Sequence, residues 1–280
     1  MAKDQKNASS SKDQKKKQKV FYHYCSLDTM DKILTSATFY LSDPLKMNDK
    51  KELIWTVEKL DNKTLEWFQV DGLNPITKED LYNYLNNNIN DKIFVGSFSY
   101  YKDDLSQWRG YGDDGRGVAL GFELDSISAN KNVNLIKSDV LYAENKVVMN
   151  KYKKFESKLY EYFKKYNIVD GPKKQEVFIN RLVPYLATVK NPTFESEKEK
   201  RIIYFERSDY VDKDLLDHHY RVINGNNITE YVVLDLEKSS LKEIVIGPNC
   251  MVKKDFLEKY LKDYDYNAIV KDTSSTYSHF

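Results

Sequence analysis

Short apolar runs separated by polar turns predict a succession of strands and helices along the chain. Eight runs rich in β-branched and aromatic residues predict strands: Val20–Tyr24, Thr38–Leu41, Ile93–Tyr100, Val118–Leu124, Leu135–Tyr142, Arg201–Phe205, Tyr231–Leu236 and Ile244–Ile246. Apolar residues at helical spacing predict helices over 29–36, 50–60, 62–70, 78–86, 106–111, 144–166 and 173–189. Because these elements do not alternate as regular βαβ units, the pattern predicts a mixed α+β fold.

The strongest helical pattern spans Glu144–Tyr166, where apolar residues recur every three or four positions: Val148, Tyr152, Phe155, Leu159, Phe163 and Tyr166. Gly171-Pro172 separates it from a second helix over 173–189, in which Pro184 predicts a kink. We expect these two helices, over about 144–189, to form a helical layer or insertion against the sheet.

The two ends of the chain differ in composition from the interior. Residues 1–19 contain seven Lys, two Asp and almost no apolar side chain. This pattern predicts a disordered, solvated tail or a weak electrostatic anchor for nucleic acid. Residues 271–280 are also expected to be loose. The segment between them, 20–270, is predicted to fold as a single α+β domain.

The overall composition argues against several classes of protein. Hydrophobic residues make up 41% of the chain, enough for a core, and 44 basic against 43 acidic residues leave a net charge of +1. No run approaches the roughly 18 apolar residues of a membrane-spanning helix. The basic N-terminus lacks the apolar region of a secretory signal. Because Cys25 and Cys250 are too few for a disulfide framework, we expect a cytoplasmic protein without a membrane partner.

Three segments carry candidate chemistry. In Tyr22-His23-Tyr24, strand alternation places His23 on the face opposite the two tyrosines. Ser97 and Ser99 share one face of their strand, and Glu197, Glu199 and Arg201 likewise recur at a period of two. Each segment also has a structural interpretation: a satisfied histidine, a strand with a solvated polar face, and a charged edge strand.

Metal and thiol chemistry are disfavoured by the same analysis. No Cys/His set has the spacing of a zinc site, and adjacent residues such as His218 and His219 point apart on a strand. Cys25 has no basic neighbour in sequence, which favours an inert thiol.

Taken in order, several segments resemble a bacterial family of unknown function, some of whose members are described as abortive-infection (AbiGi-like) proteins. The resemblance covers roughly 20–250. It rests on Phe21-Tyr22-His23-Tyr24 with Leu27, Asp43-Pro44 with Asn48-Asp49, Ser97-Phe98-Ser99, Trp108 with Tyr111, Gly117, and Glu197-x-Glu199-x-Arg201.

The order of a His strand, a Ser-x-Ser strand and a Glu-x-Glu strand is also similar to the ADP-ribosyltransferase pattern. This more distant resemblance implies a split antiparallel sheet that grips NAD as a substrate. It implies that Glu199 stabilises the cationic ribose, that Glu197 engages the acceptor, and that Ser97 and Ser99 brace the glutamate. His23 is then expected to bind the adenosine ribose, and a tyrosine, Tyr111 or Tyr40, to stack on nicotinamide.

Two arginines beside a glycine-containing loop are further candidates. Arg109 and Arg116 flank the segment before Gly117 and are expected to meet a pyrophosphate. Glu123, at the end of an apolar strand, is a lesser candidate for the catalytic carboxylate.

The sequence thus favours an NAD-using transferase or NAD glycohydrolase, acting as a toxin or phage-defence effector on an unknown protein or nucleic-acid acceptor. Two alternatives stay open. One is a non-catalytic binding or regulatory module with a partner protein, and the other is a nuclease holding Mg²⁺ on Glu197, Glu199 and aspartates.

Overall fold

A computed structural model describes residues 19–44, 52–59, 77–87, 92–129, 133–142, 158, 161–206, 215–223 and 227–278. These residues form six α-helices: α1 (Leu27–Ser36), α2 (Glu52–Lys59), α3 (Lys78–Asn87), α4 (Leu105–Gly110), α5 (Gly171–Leu186) and α6 (Lys254–Asp263). They also form thirteen strands: β1 (Val20–Cys25), β2 (Thr38–Ser42), β3 (Lys92–Ser99), β4 (Val118–Glu123), β5 (Ile127–Ser128), β6 (Leu135–Asp139), β7 (Leu141–Tyr142), β8 (Val189–Lys190), β9 (Glu199–Glu206), β10 (His218–Ile223), β11 (Asn227–Leu236), β12 (Leu241–Ile246) and β13 (Ile269–Asp272).

Eleven of the described strands belong to one mixed sheet, which confirms the α+β fold class. Its main path runs β10-β11-β2-β3-β1-β4-β12-β13, and β9 joins β3 on one side and β6 on the other. All pairings in this sheet are antiparallel except that of β12 with β13.

The sheet opens around β3. That strand pairs with β1 only at Tyr22 and Ser99, and with β2 only at Ser42 and Val95. By contrast, β3 and β9 pair along their whole length, from Lys92 opposite Glu206 to Ser99 opposite Glu199. β1 and β2 therefore diverge from β3, whereas β9 stays paired with it, and this divergence creates the space for a cleft.

Local sequence explains why the elements near this opening begin and end where they do. Ser26 caps α1, its hydroxyl accepting a hydrogen bond from the amide of Thr29, and Ala37 ends the helix in the left-handed region. Asp104 caps α4. At Gly117 a Cβ atom would lie 2.0 Å from the carbonyl oxygen of Cys25, so only glycine fits between β1 and the turn into β4.

Two hydrophobic cores pack against the sheet. The larger one unites α1, α6 and the central strands through residues such as Leu34, Phe98 and Phe122. The second packs α2, α3 and α5 against β3 and β9, with Phe178 and Leu182 fully buried. Of these three helices, only α5 lies within the helical layer predicted over about 144–189.

The predicted boundaries of that layer need correction. The helix expected over 173–189 begins at Gly171, after the capping residue Asp170, and ends at Leu186. Val189 and Lys190 instead form β8, which pairs in parallel with β7. The single strand expected over Leu135–Tyr142 is divided into β6 and β7.

Several predictions concern residues that are not described. Most of the helix predicted over Glu144–Tyr166 falls there, although 161–165 are helical and Phe163 is buried. Nearly all of the 1–19 tail, the helix predicted over 62–70 and the Asn48-Asp49 pair also lie outside the described residues.

The expectation of a loose segment from residue 271 is wrong for its described part. Lys271 and Asp272 belong to β13, whose register pairs them with Val245 and Ile246. Beyond the strand, Asp103 accepts hydrogen bonds from Thr273 and from the amide and hydroxyl of Ser274. The segment is ordered because β12 pairs with it in parallel and because the Asp103 carboxylate, 170 residues away, accepts its hydrogen bonds. The polar composition of the segment alone does not indicate these distant partners.

Candidate functional site

A cleft of about 910 Å³ lies where the sheet opens around β3. Six of the residues singled out in the sequence line this one space: His23, Ser97, Ser99, Tyr111, Glu197 and Glu199. The chain brings them together from β1, β3, β9, the end of α4 and the turn before β9. The volume falls within the range of about 300–1,000 Å³ typical of small-molecule sites.

Glu199 is held at the floor of the cleft by its neighbours on β3 and β9. Its Oε2 accepts hydrogen bonds from Arg201 Nη2 at 2.6 Å and Nε at 3.1 Å. Ser97, opposite Arg201 in the strand register, also hydrogen-bonds the Glu199 carboxylate. Burial alone would raise the pKa of Glu199, but Arg201, Lys190 and these hydrogen bonds outweigh it, so its pKa is lowered and the carboxylate is ionised.

Glu197 reaches the same space from a different element. The sequence predicted that Glu197, Glu199 and Arg201 share one strand face, but Glu197 closes a 3-10 helix, Pro192–Glu197, before the strand. Lys198 then adopts the left-handed conformation with φ of 42°, which turns the chain into β9. Glu197 nevertheless lies close to Glu199. Ser99, which is opposite Glu199 in the strand register, donates its hydroxyl to the Glu197 carbonyl oxygen at 2.9 Å.

Lys190 of β8 joins the two carboxylates. Its Nζ lies 2.5 Å from Glu197 Oε2 and 3.5 Å from Glu199 Oε2, and its side chain is 5% exposed. Tyr111 completes the contacts of Glu197, donating its hydroxyl to Oε1 at 2.8 Å. Lys190 and Arg201 thus lie against Glu197 and Glu199 as two cations against two carboxylates, which offsets the cost of burying Glu199 in its ionised form.

The alternative of a solvated edge strand is wrong for this segment. β9 is paired on both sides, with β3 and β6, and both Glu199 and Arg201 are buried. The Arg201 guanidinium also donates through Nη1 to the Ala187 carbonyl oxygen at 2.8 Å. These residues therefore face the interior of the cleft rather than bulk water.

His23 lies at the point where β1 and β3 separate. Its Nδ1 is 3.1 Å from the Ser97 carbonyl oxygen, and its ring packs edge-on against Phe39 with centroids 4.9 Å apart. Tyr22 and Tyr24 belong to a different cluster with Trp108, which confirms the predicted alternation. Burial lowers the pKa of His23, and the nearby Arg221 lowers it further, so the imidazole is neutral at pH 7.

The structure does not place Arg109 and Arg116 in the cleft, contrary to the sequence prediction. Arg116 is exposed and pairs with Asp113 through Nη2 at 2.8 Å. Arg109 is exposed and lies near the Tyr277 ring, 6.0 Å from its centroid. Both side chains therefore lie at the surface, where Asp113 and the Tyr277 ring are their partners.

Lys190 and Arg221 are cleft residues that sequence reasoning did not identify. Both sit in β-prone runs without a motif, among 44 basic residues. Only the strand pairings, β8 with β7 and β10 with β11, bring them to this side of the sheet. Tyr111 and Tyr40, the two tyrosines considered for stacking on nicotinamide, both line the cleft.

The remaining candidates lie elsewhere or behave as inert groups. Glu123 is buried at the end of β4 and pairs with Lys242 at 3.0 Å, outside the cleft. The two adjacent histidines point apart as predicted, His218 toward Glu206 and His219 against the Tyr231 ring. Cys25 is buried, and burial raises the pKa of its thiol to about 12, which favours the inert thiol expected from the sequence.

Within the described ranges, no group of three or more His, Cys, Asp or Glu side chains is arranged to hold a metal ion. The helices of that same part of the chain include none long and apolar enough to span a bilayer.

Comparison with known proteins finds one similarity. Residues 107–202 match a family model described as a protein of unknown function (DUF2971). The matched segment contains Tyr111, Glu197 and Glu199, whereas His23, Ser97 and Ser99 precede it. No curated protein and no solved structure matches the chain.

Proposed function

We propose that the protein cleaves the bond between nicotinamide and ribose in NAD, as an ADP-ribosyltransferase-like enzyme or an NAD glycohydrolase. One observation carries this proposal: His23, Ser97, Ser99 and Glu199, whose order along the chain is similar to the ADP-ribosyltransferase pattern, converge on one cleft in a split sheet.

The chemistry requires a negative charge beside the ribose. As the bond between the ribose carbon and nicotinamide breaks, nicotinamide leaves with the bonding electrons and the ribose becomes oxocarbenium-like, as in glycoside hydrolysis. An ionised Glu199 stabilises that positive charge. Its lowered pKa, set by Arg201 and Lys190 against the effect of burial, keeps it in the required state at neutral pH.

The second half of the reaction assigns a role to Glu197. An acceptor hydroxyl, or water, attacks the ribose carbon from the side opposite the departed nicotinamide and must lose a proton. Glu197 lies beside Glu199 and accepts hydrogen bonds from Tyr111 and Lys190, so it is positioned to orient the acceptor and receive that proton. With water as the acceptor, the activity is NAD hydrolysis.

The nuclease alternative has less support from the site. Glu197 and Glu199 are already matched by Lys190 and Arg201, both within 2.6 Å of a carboxylate oxygen. A divalent cation would have to displace these permanent charges. The non-catalytic module has one observation in its favour, since a compensated buried ion group also serves as a structural brace.

The test is incubation of the protein with labelled NAD, followed by separation of free nicotinamide from modified protein or nucleic acid. Glu199→Gln keeps the size of the side chain but removes its charge, so turnover should fall about 10²–10³-fold with little change in NAD affinity. Glu197→Gln should reduce transfer more than hydrolysis.

A matched control is Glu195→Gln, a charge removal in the same segment at a side chain that is 58% exposed and pairs with Lys198. It should leave nicotinamide release unchanged. Absence of NAD turnover by the wild-type protein with every acceptor tried would favour the binding or regulatory module. Membership of a phage-defence or toxin system is part of the same proposal and is tested by expressing wild type and Glu199→Gln in bacteria and comparing growth.

A further inference from the structure

A second group of cleft residues surrounds Arg221 of β10, whose side chain is exposed. Its Nη2 donates to the Ser42 hydroxyl at 2.9 Å. The guanidinium carbon lies 5.8 Å and 5.7 Å from the ring centroids of Tyr40 and Tyr231. These two rings stack on each other with centroids 4.4 Å apart. All four residues line the cleft, so the arginine is presented to it on an aromatic support.

Within the described part of the chain, Arg221 differs from the other basic side chains of the cleft in its ion pairing. Lys190 and Arg201 are paired with Glu197 and Glu199, and Lys32 is paired with Asp28 at 2.6 Å. Among the described residues, no carboxylate forms an ion pair with Arg221, and the bond to Ser42 is the hydrogen bond that it makes. A guanidinium carries five N–H donors, so this arrangement leaves donors available to a ligand.

The surroundings of Arg221 favour an anion over a neutral group. Burial lowers the pKa of His23, and the charge of Arg221 contributes in the same direction, which places both side chains at one side of the cleft. The planar guanidinium fork and a neighbouring hydroxyl match the oxygens of a phosphate group.

We propose that Arg221 and Ser42 form a phosphate-binding subsite of the cleft, which holds a phosphate of a nucleotide ligand. The subsite itself follows from the geometry, and the inference rests on the proposed function only in identifying that nucleotide as NAD. Arg221 thus takes the place that sequence reasoning gave to Arg109 and Arg116, which lie outside the cleft.

The experiment compares calorimetric titrations of the full-length protein with ADP and with adenosine, which differ only in the diphosphate. Wild type should bind ADP about ten- to one-hundred-fold more tightly than adenosine, the range expected for hydrogen bonds to a charged group. Arg221→Gln should remove most of this difference and leave adenosine binding unchanged. Arg221→Lys should restore only part of it, because an ammonium lacks the fork geometry.

Arg116→Gln is the matched control, since Arg116 carries the same charge but pairs with Asp113 outside the cleft. It should keep the wild-type preference for ADP. Thermal melting of each variant checks that the fold is retained. Equal affinity of wild type for ADP and adenosine, no binding of either, or the same loss in Arg116→Gln would overturn the subsite.

The outcome is separable from that of the proposed function. If ADP binds through Arg221 but no nicotinamide is released from NAD, the subsite stands and the proposed reaction falls. If nicotinamide is released but ADP binds no more tightly than adenosine, the reaction stands and the subsite is wrong.

Discussion

The two ends of the β3–β9 strand pair each carry two carboxylates and two basic side chains, but in different surroundings. At the cleft end, Glu197 and Glu199 meet Lys190 and Arg201, whose side chains are 5% and 3% exposed. At the other end, Glu206 and Glu230 meet Lys92 and His218, whose side chains are 29% and 22% exposed. We call these groups the cleft cluster and the edge cluster.

The two clusters differ in the basic side chains that balance the charges of their carboxylates. In the cleft cluster both cations are permanent at neutral pH, as burial requires for two ionised carboxylates. In the edge cluster one partner is a histidine, which lies 2.7 Å from Glu206 and 2.8 Å from Glu230 and is charged only when protonated. The carboxylates of the edge cluster are 12% and 14% exposed, close to those of the cleft cluster, so the contrast lies in the basic partners, which are more exposed at the edge. A buried site that needs ionised carboxylates at neutral pH cannot rely on such a partner.

The largest expected effect is that of Lys190→Met, which removes one cation of the cleft cluster. Glu197 then loses its contact at 2.5 Å while staying buried. We expect a loss of about 3–5 kcal/mol in the free energy of unfolding, the usual cost of breaking a buried ion pair. Urea denaturation monitored by tryptophan fluorescence measures it.

Lys198→Met is the control for Lys190→Met. Lys198 is only eight residues away and pairs with Glu195, but both side chains are exposed to solvent. Its removal should change stability by less than about 0.5 kcal/mol. A near-neutral Lys190→Met would show that one carboxylate takes up a proton at little cost, and this would contradict the ionised state inferred for the site.

An intermediate effect is expected from pH on the cleft cluster. The pKa of Glu199 is lowered in the folded protein because Arg201 and Lys190 outweigh burial. The stabilisation is therefore fully present above the ordinary glutamate value of 4.5 and is lost as the pH falls through the folded pKa. Wild type should be more stable than Glu199→Gln at about pH 7, and the difference should shrink toward about pH 3.

Melting temperatures of wild type and Glu199→Gln across that pH range test whether the stability difference shrinks on acidification. A gap between the two proteins that widens on acidification would mean that Glu199 is protonated in the native state. The measurement needs no assumption about activity, so it examines the electrostatics of the site independently of NAD.

The smallest effect is expected from Lys92→Met in the edge cluster, the same substitution as in the cleft cluster. Lys92 donates to both Glu230 oxygens, at 2.6 Å and 2.7 Å, but it is 29% exposed. We expect a loss of about 1 kcal/mol or less, because water replaces the lost partner. The same urea assay measures it, and a loss as large as that of Lys190→Met would remove the distinction between the clusters.

Local sequence was sufficient to predict most strands and helix starts. The β-prone runs at Val20 and Thr38 depend on neighbours a few residues away, so they are read directly from the chain. The period of two likewise predicted that Glu199 and Arg201 share a face, as do Ser97 and Ser99. Predicted boundaries were wrong where a segment distant in sequence pairs with the chain. Val189, predicted to end a helix, instead pairs with Leu141 of β7.

The order of the predicted strands and helices determined the α+β class, and strand alternation together with the resemblance to the ADP-ribosyltransferase pattern singled out the serines, glutamates and histidine that line the cleft. Only the tertiary structure decided how these groups are charged and oriented, because their partners come from far along the chain. Lys190 reaches Glu197 through the β7–β8 pairing, Arg221 meets Ser42 across 179 residues, and Arg116 turns away toward Asp113. Such contacts depend on strand register and burial, which no local pattern encodes.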